Sequence, residues 1–349
     1  MFDLSARENF TNQLPLVSIV VSNYNGWKFN LLRMCLDSVL KIDYPNFEVI
    51  LVDNASTDGS VEFCRELFGS GPRFKIVANT ENIYSQGLNK GIEVSKGKYI
   101  VFFNNDIKVD SNYLTRLIKV LEMDESIALA QGKLLSYNEP HRIDSVGETM
   151  DIYGNPTTIG KGEVDNGQYE KISEILSASG SASVVRRCVL DEIGEFDSKF
   201  YIGYEDMDIS LRARLKGYKV VYIPEAIVYH KRTATDNVNE IRVKVKHHFN
   251  KNRLATLIKN YGLKNLLVVL PINLLLCISV FIYEAIVKRN IRWALPRLTG
   301  FLWNMKEIRY LLSQRRNVQK NIRCVSDDEF LKLMFKKPLL KSILVFARR

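Results

Sequence analysis

The most constraining feature of the chain is a rhythm in its first half. Short, continuous apolar runs alternate with amphipathic stretches, and each apolar run ends in polar residues. Val17–Ser22 (VSIVVS), Phe47–Asp53 (FEVILVD), Phe74–Ala78 and Tyr99–Asn104 (YIVFFN) read as strands. Unbroken runs of this length suit strands buried on both faces. Between them, Leu31–Leu40, Ser60–Phe68 and Tyr84–Ser95 read as helices; Leu31, Met34, Cys35 and Val39 recur at helical spacing. Asn112–Met123 is a further helix and Ile127–Gln131 a further short strand. This alternation predicts an α/β fold with a mostly parallel sheet and helices on both faces. Such a sheet binds ligands at the carboxyl ends of its strands. Those ends are Ser22-Asn23-Tyr24-Asn25, Asp53-Asn54 and Asn104-Asn105-Asp106.

Beyond them the pattern loosens. Residues 132–178, rich in glycine and acidic residues, read as loops or short strands over one end of the sheet. Regular structure resumes at Ser181–Val185, followed by a helix over Glu205–Lys216 that Gly217 can cap. Lys219–Ile223 and Ala226–His230 read as two short strands interrupted by Pro224. From Asn239 the pattern is helical and basic. No internal repeat or low-complexity segment is present.

Five cysteines, odd in number and without a CxxC pair, argue against a disulfide framework or a zinc site. MFDLSARENF has no apolar run, so no secretory signal is expected. The net charge of +10 is unevenly placed. Ala285–Arg349 holds 16 Lys/Arg against 4 Asp/Glu, while residues 1–284 hold 33 against 35. A basic tail beside an apolar segment points to an anionic membrane surface rather than to nucleic acid.

Four groups can carry chemistry. Asn104-Asn105-Asp106 is either an ordinary turn or a carboxylate placed to hold a hard cation such as Mg²⁺ or Mn²⁺. Asp53–Ser60 is a loop and helix cap, with Ser60 or Asp58 capping; functionally it needs only Asp53, accepting a hydrogen bond from a base N–H. No GxGxxG follows the first strand, which counts against a dinucleotide site. Glu205-Asp206-Met207-Asp208 opens a helix, where acidic residues are ordinary dipole partners worth a few tenths to about 1 kcal/mol. The same cluster, around Gly203, can also present one carboxylate to a cleft as a general base. His230, one of four histidines, is either a satisfied strand-end residue or completes a metal site with Asp106.

Taken together, these stretches resemble a family-2 glycosyltransferase of the GT-A fold over residues 16–255, with a weaker echo to about 330. VSIVVSNYNG (17–26) resembles the opening nucleotide-binding strand, and VDNASTDGS (52–60) the uracil/thymine-binding loop. ENIYSQGLNKGI (81–92) is similar to the helix start after the third strand, and FFNNDI (102–107) to the metal motif. Residues 193–230 resemble the acceptor-side signature. The resemblance implies that Ser22, Tyr24, Asp53, Asn82 and Asn105 hold the nucleotide, and that Asp106 and His230 bind a Mg²⁺ or Mn²⁺ bridging its phosphates. It implies Ser179, Gly180 and Ser181 along the donor sugar, and Asp206 of the Glu205–Asp206 pair as catalytic base. Asn104 departs from the usual Asp-x-Asp, which throws the cation onto Asp106 and His230.

The implied reaction is a single inverting displacement from a UDP- or dTDP-sugar to a saccharide or lipid-linked acceptor. A hexosyl or deoxyhexosyl group moves, with rhamnose on dTDP the first expectation. Two alternatives stay open: a sugar-1-phosphate nucleotidyltransferase, which usually has a basic Gly-rich loop where this chain has SNYNGW, and an inactive nucleotide-sugar-binding scaffold. Residues 1–250 would form the catalytic domain, with a nucleotide-sugar half over 16–131 and an acceptor half over 132–250. Residues 251–349 would form a helical membrane-associated region.

That region contains Asn265–Tyr283, 19 residues without charge. As a helix it would be about 28 Å long, against a bilayer core of about 30 Å. Pro271 and Asn273 lie inside it and basic residues flank both ends, contrary to the positive-inside tendency of a true span. A broken helix or helical hairpin lying in the inner, cytoplasmic-side leaflet is the preferred expectation; a single span or a buried helix are the others. Trp293–Trp303 and Phe330–Phe335 also mix apolar, aromatic and basic residues as interfacial helices do.

Overall fold

A computed structural model describes residues 14–28, 30–68, 73–232 and 239–335. The stretch MFDLSARENF and the basic residues 336–349 lie outside the described residues.

The first half follows its apolar rhythm. β1 (Val17–Asn23), α1 (Leu31–Val39), β2 (Phe47–Asn54), α2 (Ser60–Phe68), β3 (Phe74–Asn79), α3 (Tyr84–Val94) and β4 (Tyr99–Asn104) alternate along the chain. They form a parallel block in the order β4-β1-β2-β3. Successive side chains point to opposite faces. Ile19, Val21, Leu51 and Phe103 pack with Leu32 and Leu36 of α1, while Val20, Ile50, Val52 and Phe102 pack with Leu88 and Ile92 of α3. Both faces are thus covered, which is why these strands carry no polar alternation.

β5 (Ile107–Val109), α4 (Tyr113–Met123) and β6 (Ile127–Ser136) follow. β6 runs past Gln131 because Lys133, although buried, is paired with Asp165 at 2.9 Å and Glu170 at 2.5 Å. Next come β7 (Ile143–Ser145), β8 (Glu148–Met150), β9 (Pro156–Thr158), β10 (Ser173–Glu174), β11 (Ala182–Arg186), α5 (Arg187–Ile193), α6 (Glu205–Lys216) and β12 (Lys219–His230). Ten strands join one sheet in the order β10-β12-β6-β11-β4-β1-β2-β3, with β5 on β12 and β7 on β6.

The sheet is mixed. β11 runs antiparallel to both β4 and β6 and joins the parallel block to the parallel pair β6–β12. Pro224 does not divide β12 in two, as its lack of an N–H suggests. A register shift between Ile223 and Ile227 absorbs it, and one strand continues to His230.

The C-terminal part is helical: α7 (Asn239–Asn260), α8 (Leu263–Ile282) with a π-helical turn at Tyr283–Val287, α9 (Ile291–Lys306), α10 (Ile308–Asn317), a second π turn at Val318–Ile322, and α11 (Asp328–Leu331). α8 passes through Pro271 unbroken, so the apolar segment is not a broken helix. The chain reverses after the π turn instead, where the Asn290 side chain accepts from the Trp293 N–H at 3.0 Å. α9 folds back onto α8, with Phe301 against the cluster of Leu276, Cys277 and Val280. Proline removes one bond of the helical ladder; this packing holds the rest in line.

A buried ion network ties these helices to α6. Lys259 donates to Asp197 at 2.7 Å and to Asp208 at 3.0 Å. Asp208 also receives Arg212 at 3.1 Å and Asn260 at 2.8 Å.

Candidate active site

Strand register builds one half of the site. β5 and β12 are antiparallel with Ile107 opposite His230, so Asp106, just before β5, falls beside the imidazole. His230 Nε2 lies 3.3 Å from Asp106 Oδ1. On the other side of β12, β6 pairs with β7 through a register shift between Leu134 and Leu135, and Asp144 reaches the same ring: His230 Nδ1 is 2.8 Å from Asp144 Oδ2. Arg232 donates to the other Asp144 oxygen at 2.5 Å. Burial alone would lower the His230 pKa, but the two flanking carboxylates outweigh it and raise it to about 9.

The start of α6 builds the other half. Tyr204, in the left-handed region at φ 71°, turns the chain into the helix. Asp206, partly buried, accepts the Gly180 N–H at 3.1 Å and its neighbour Met207's N–H at 2.7 Å. Glu205 points inward, 6% exposed, and its Oε2 has no hydrogen-bond partner. Burial, then the charge of Asp206, push the Glu205 carboxyl up to about 8. Burial also raises Asp206, opposed by the backbone N–H groups of Gly180 and Met207.

The Ser179-Gly180-Ser181 turn leads into β11 beside β4. Asn104 donates its backbone N–H to the Ser181 carbonyl at 3.1 Å. Its side chain accepts from the Tyr84 hydroxyl at 2.8 Å and donates to Ser181 Oγ at 3.4 Å. One amide can do both; a carboxylate there would lack the donor. Asn104 therefore ties α3 and β11 to β4.

Asn104, Asp106, Ser179, Ser181, Glu205, Asp206 and His230 line one cavity of about 610 Å³. Ser22, Tyr24, Asp53, Asn82 and Asn105 do not line it. Most of those sit at the carboxyl ends of β1, β2 and β4. Buried Asp53 accepts from Asn23 at 2.7 Å and from the Ser56 N–H at 2.9 Å. Asn23 in turn accepts from Asn105 at 2.7 Å, and Ser22 Oγ accepts from Asn54 at 3.1 Å. Tyr24 is 48% exposed. Asn82 is half-buried just before α3.

The model of "Glycosyl transferase family 2" matches residues 18–194, which takes in β1 through α5. The chain belongs to glycosyl transferase family 2. Among curated relatives, the glycosyltransferase GlyG of Streptococcus pneumoniae is 35% identical over 126 residues, covering 36% of this chain and 40% of that protein. The O-antigen biosynthesis protein RfbC of Myxococcus xanthus is 26% identical over 232 residues, covering 65% of this chain and 18% of that protein. The family-2 chain thus matches well under half the length of these relatives. Among solved structures, GalNAc-T7 with UDP, GalNAc and Mn²⁺ superposes with a TM-score of 0.63 at 16% identity, covering 91% of this chain and 56% of that one. The fold is that of GT-A enzymes.

The donor set of this family-2 chain fits a divalent ion. One carboxylate and one imidazole stand within 3.3 Å of each other, and the far imidazole nitrogen is held by a carboxylate, the usual support for a ligating histidine. Among the described residues no group of three or more His, Cys, Asp or Glu is placed to hold a metal. An ion held by Asp106 and His230 would keep other positions for ligand oxygens.

Several residues of the site carry little signal in the sequence. Asp144 lies in a three-residue strand with no periodic pattern. Asn23 and Tyr84 read only as a strand end and a helix start. Lys246, Arg253, Trp293 and Arg297, from α7 and α9, line the same cavity. Their only signal is basic and aromatic residues at helical spacing, which a solvated helix shares.

Proposed function

We propose that this family-2 chain transfers a sugar from a nucleoside-diphosphate donor, a UDP- or dTDP-sugar, to a hydroxyl of a saccharide or lipid-linked acceptor. The transfer is a single displacement with inversion, and it takes place at the cytoplasmic face of a membrane. The observation that carries this reading is the meeting of Asp206 with the Asp106–His230 pair in one cavity.

An acceptor hydroxyl is a poor nucleophile until a positioned base takes its proton. Asp206 is the accessible carboxylate of its pair. Two backbone N–H groups fix its direction and favour its charged form, as does the helix N-terminus. Glu205 stays protonated below about 8 and adds no competing charge at neutral pH. Asp206 takes the proton, and Glu205, although it lines the same cavity, is neutral at this pH and offers no charged second carboxylate as a nucleophile, which favours inversion.

Asp106 and His230 would hold a Mg²⁺ or Mn²⁺, which as a Lewis acid would stabilise the leaving diphosphate. Asp53, with lone pairs left beyond its two hydrogen bonds, would receive the base N–H. Ser22, Tyr24, Asn82 and Asn105 complete the nucleotide side, and Ser179, Gly180 and Ser181 flank the donor sugar.

Residues Leu263–Val287 are long and apolar enough to cross a membrane by length and composition. One stripe of α8 packs on the protein through Leu266, Val269, Asn273, Leu276 and Val280, while Leu263, Leu267, Leu275, Ile278 and Ile282, and Ile286 in the π turn, are exposed. A one-sided apolar stripe supports a hairpin lying in the inner leaflet rather than a span.

The test is a panel of UDP-, dTDP- and GDP-sugars with Mn²⁺ or Mg²⁺, scored by nucleoside diphosphate release in the presence of lipid-linked and free saccharides. Metal-dependent release from one donor supports the reading. Activity unchanged by EDTA overturns the metal assignment, and pyrophosphate release from a sugar 1-phosphate and a nucleoside triphosphate overturns the transfer itself.

A further inference from the structure

The cavity does not end at the base. It runs from Asp206 and Gly203 to Lys246 of α7 and Trp293 and Arg297 of α9, at the root of the apolar hairpin. We infer that this far end is a subsite for a phosphate or diphosphate ester on the acceptor, whose hydrocarbon chain continues along the hairpin into the membrane. The inference rests on the glycosyltransferase reading and names the acceptor class for it.

The first argument is charge. The ammonium of Lys246 and the guanidinium of Arg297 share one carboxylate, Glu284: Lys246 at 2.8 Å and Arg297 at 2.8 and 3.0 Å. Both side chains are almost fully buried, at 3% and 1% exposure. Two buried cations thus meet at one carboxylate beside the cavity, and Arg242 and Arg253 stand on the same wall. Burial, then the charge of Arg297, push the Lys246 ammonium down to about 8, so an anion arriving here would stabilise its charged form. The donor's own diphosphate has its place with Asp106 and His230, which leaves this wall for a second anion.

The second argument is order in space. Beyond the wall, the π turn and the start of α9 expose Ile286 (68%), Val287 (67%) and Ile291 (53%), flanked by Lys288, Arg289 and Arg292. Trp293 bridges the two zones, with the Lys246 ammonium 4.2 Å from its ring centroid. Base, cationic wall, apolar tip: a lipid-phosphate glycoside presents hydroxyl, phosphate and hydrocarbon in that sequence.

The test is calorimetric titration of the full chain with farnesyl diphosphate, farnesol and inorganic pyrophosphate, in EDTA to keep diphosphates off the Asp106–His230 site. Farnesyl diphosphate should bind at least tenfold more tightly than either of the other two. Arg242→Gln, at an exposed position, and Lys246→Met should each weaken it at least fivefold, while Lys246→Arg should restore it. Farnesol or pyrophosphate binding as tightly as farnesyl diphosphate would overturn the inference. So would wild-type affinity in both weakened variants. Binding of UDP with Mn²⁺, measured on the same samples, separates the two readings. Its absence in the wild type would sink the donor site, whereas UDP binding without farnesyl diphosphate binding would overturn the acceptor subsite alone.

Discussion

The Nδ1 atom of His230 lies 2.8 Å from a carboxylate oxygen of Asp144. That contact turns Nε2 toward Asp106, so Asp144 is a positioning residue for the proposed cation. Support of this kind is worth about 10–100-fold in metal affinity. Asp144→Asn should weaken Mn²⁺ binding by that factor, read by direct Mn²⁺ titration, while the far-ultraviolet circular dichroism stays unchanged. Wild-type Mn²⁺ affinity in the variant would remove Asp144 from the site.

Glu205 gives a pH prediction. Its carboxyl is neutral below about 8 and charged above, so a second negative charge appears beside Asp206 only on the alkaline side. Glu205→Gln mimics the neutral form. The variant should keep near-wild-type turnover at pH 7, and the break in log kcat expected for the wild type near pH 8 should be missing from its profile. Superimposable pH profiles would contradict the assignment.

Asp208 belongs to the same acidic cluster but to a different task. Burial pushes its carboxyl up, yet Lys259 and Arg212 outweigh burial and hold it below the usual carboxylate value of 3.8. Its contribution to stability is therefore complete above that value and is lost as pH falls through the depressed folded-state pKa. Removing one partner of a buried ion network costs about 3–5 kcal/mol. Asp208→Ala should lose that much by urea unfolding at pH 7, and the gap to wild type should narrow only below pH 3.8. A loss under about 1 kcal/mol would mean that the network is screened like a surface pair.

The membrane account turns on the outward stripe of α8 and of the π turn that follows it. Leu267, Leu275 and Ile286 are 65%, 65% and 68% exposed, so changing them leaves the buried stripe intact. The triple replacement by Glu should move the protein from sedimenting anionic vesicles to the supernatant. Deleting the helices is a poorer test, because Tyr261, Leu311 and Phe330 are core residues. Retention of the triple variant on vesicles would rule out this face.

The parallel block is legible in the sequence because its strands are buried on both faces, and Val17–Asn23 or Tyr99–Asn104 can hardly be anything else. Asp106, Asp206 and His230 stand out because each ends or begins an element whose boundary is itself visible. Asp144 does not, since β7 is three residues long and pairs with β6 through a register shift. Pro224 predicts a break in β12 because a missing N–H usually ends a strand; a register shift makes room for it. Pro271 predicts the hairpin turn for the same reason, whereas packing against Phe301 carries α8 through. In each case a tertiary contact overrides a local rule, and single-residue patterns carry no trace of such contacts.

The most direct test of the central claim is the turnover of Asp206→Asn against its donor affinity. Asn keeps the size of the side chain and can still accept the Gly180 N–H, but it cannot take a proton. Transfer should fall by about 10²–10⁴-fold, with the dissociation constant for UDP and Mn²⁺ within about twofold of wild type. Full transfer activity in Asp206→Asn would contradict the account.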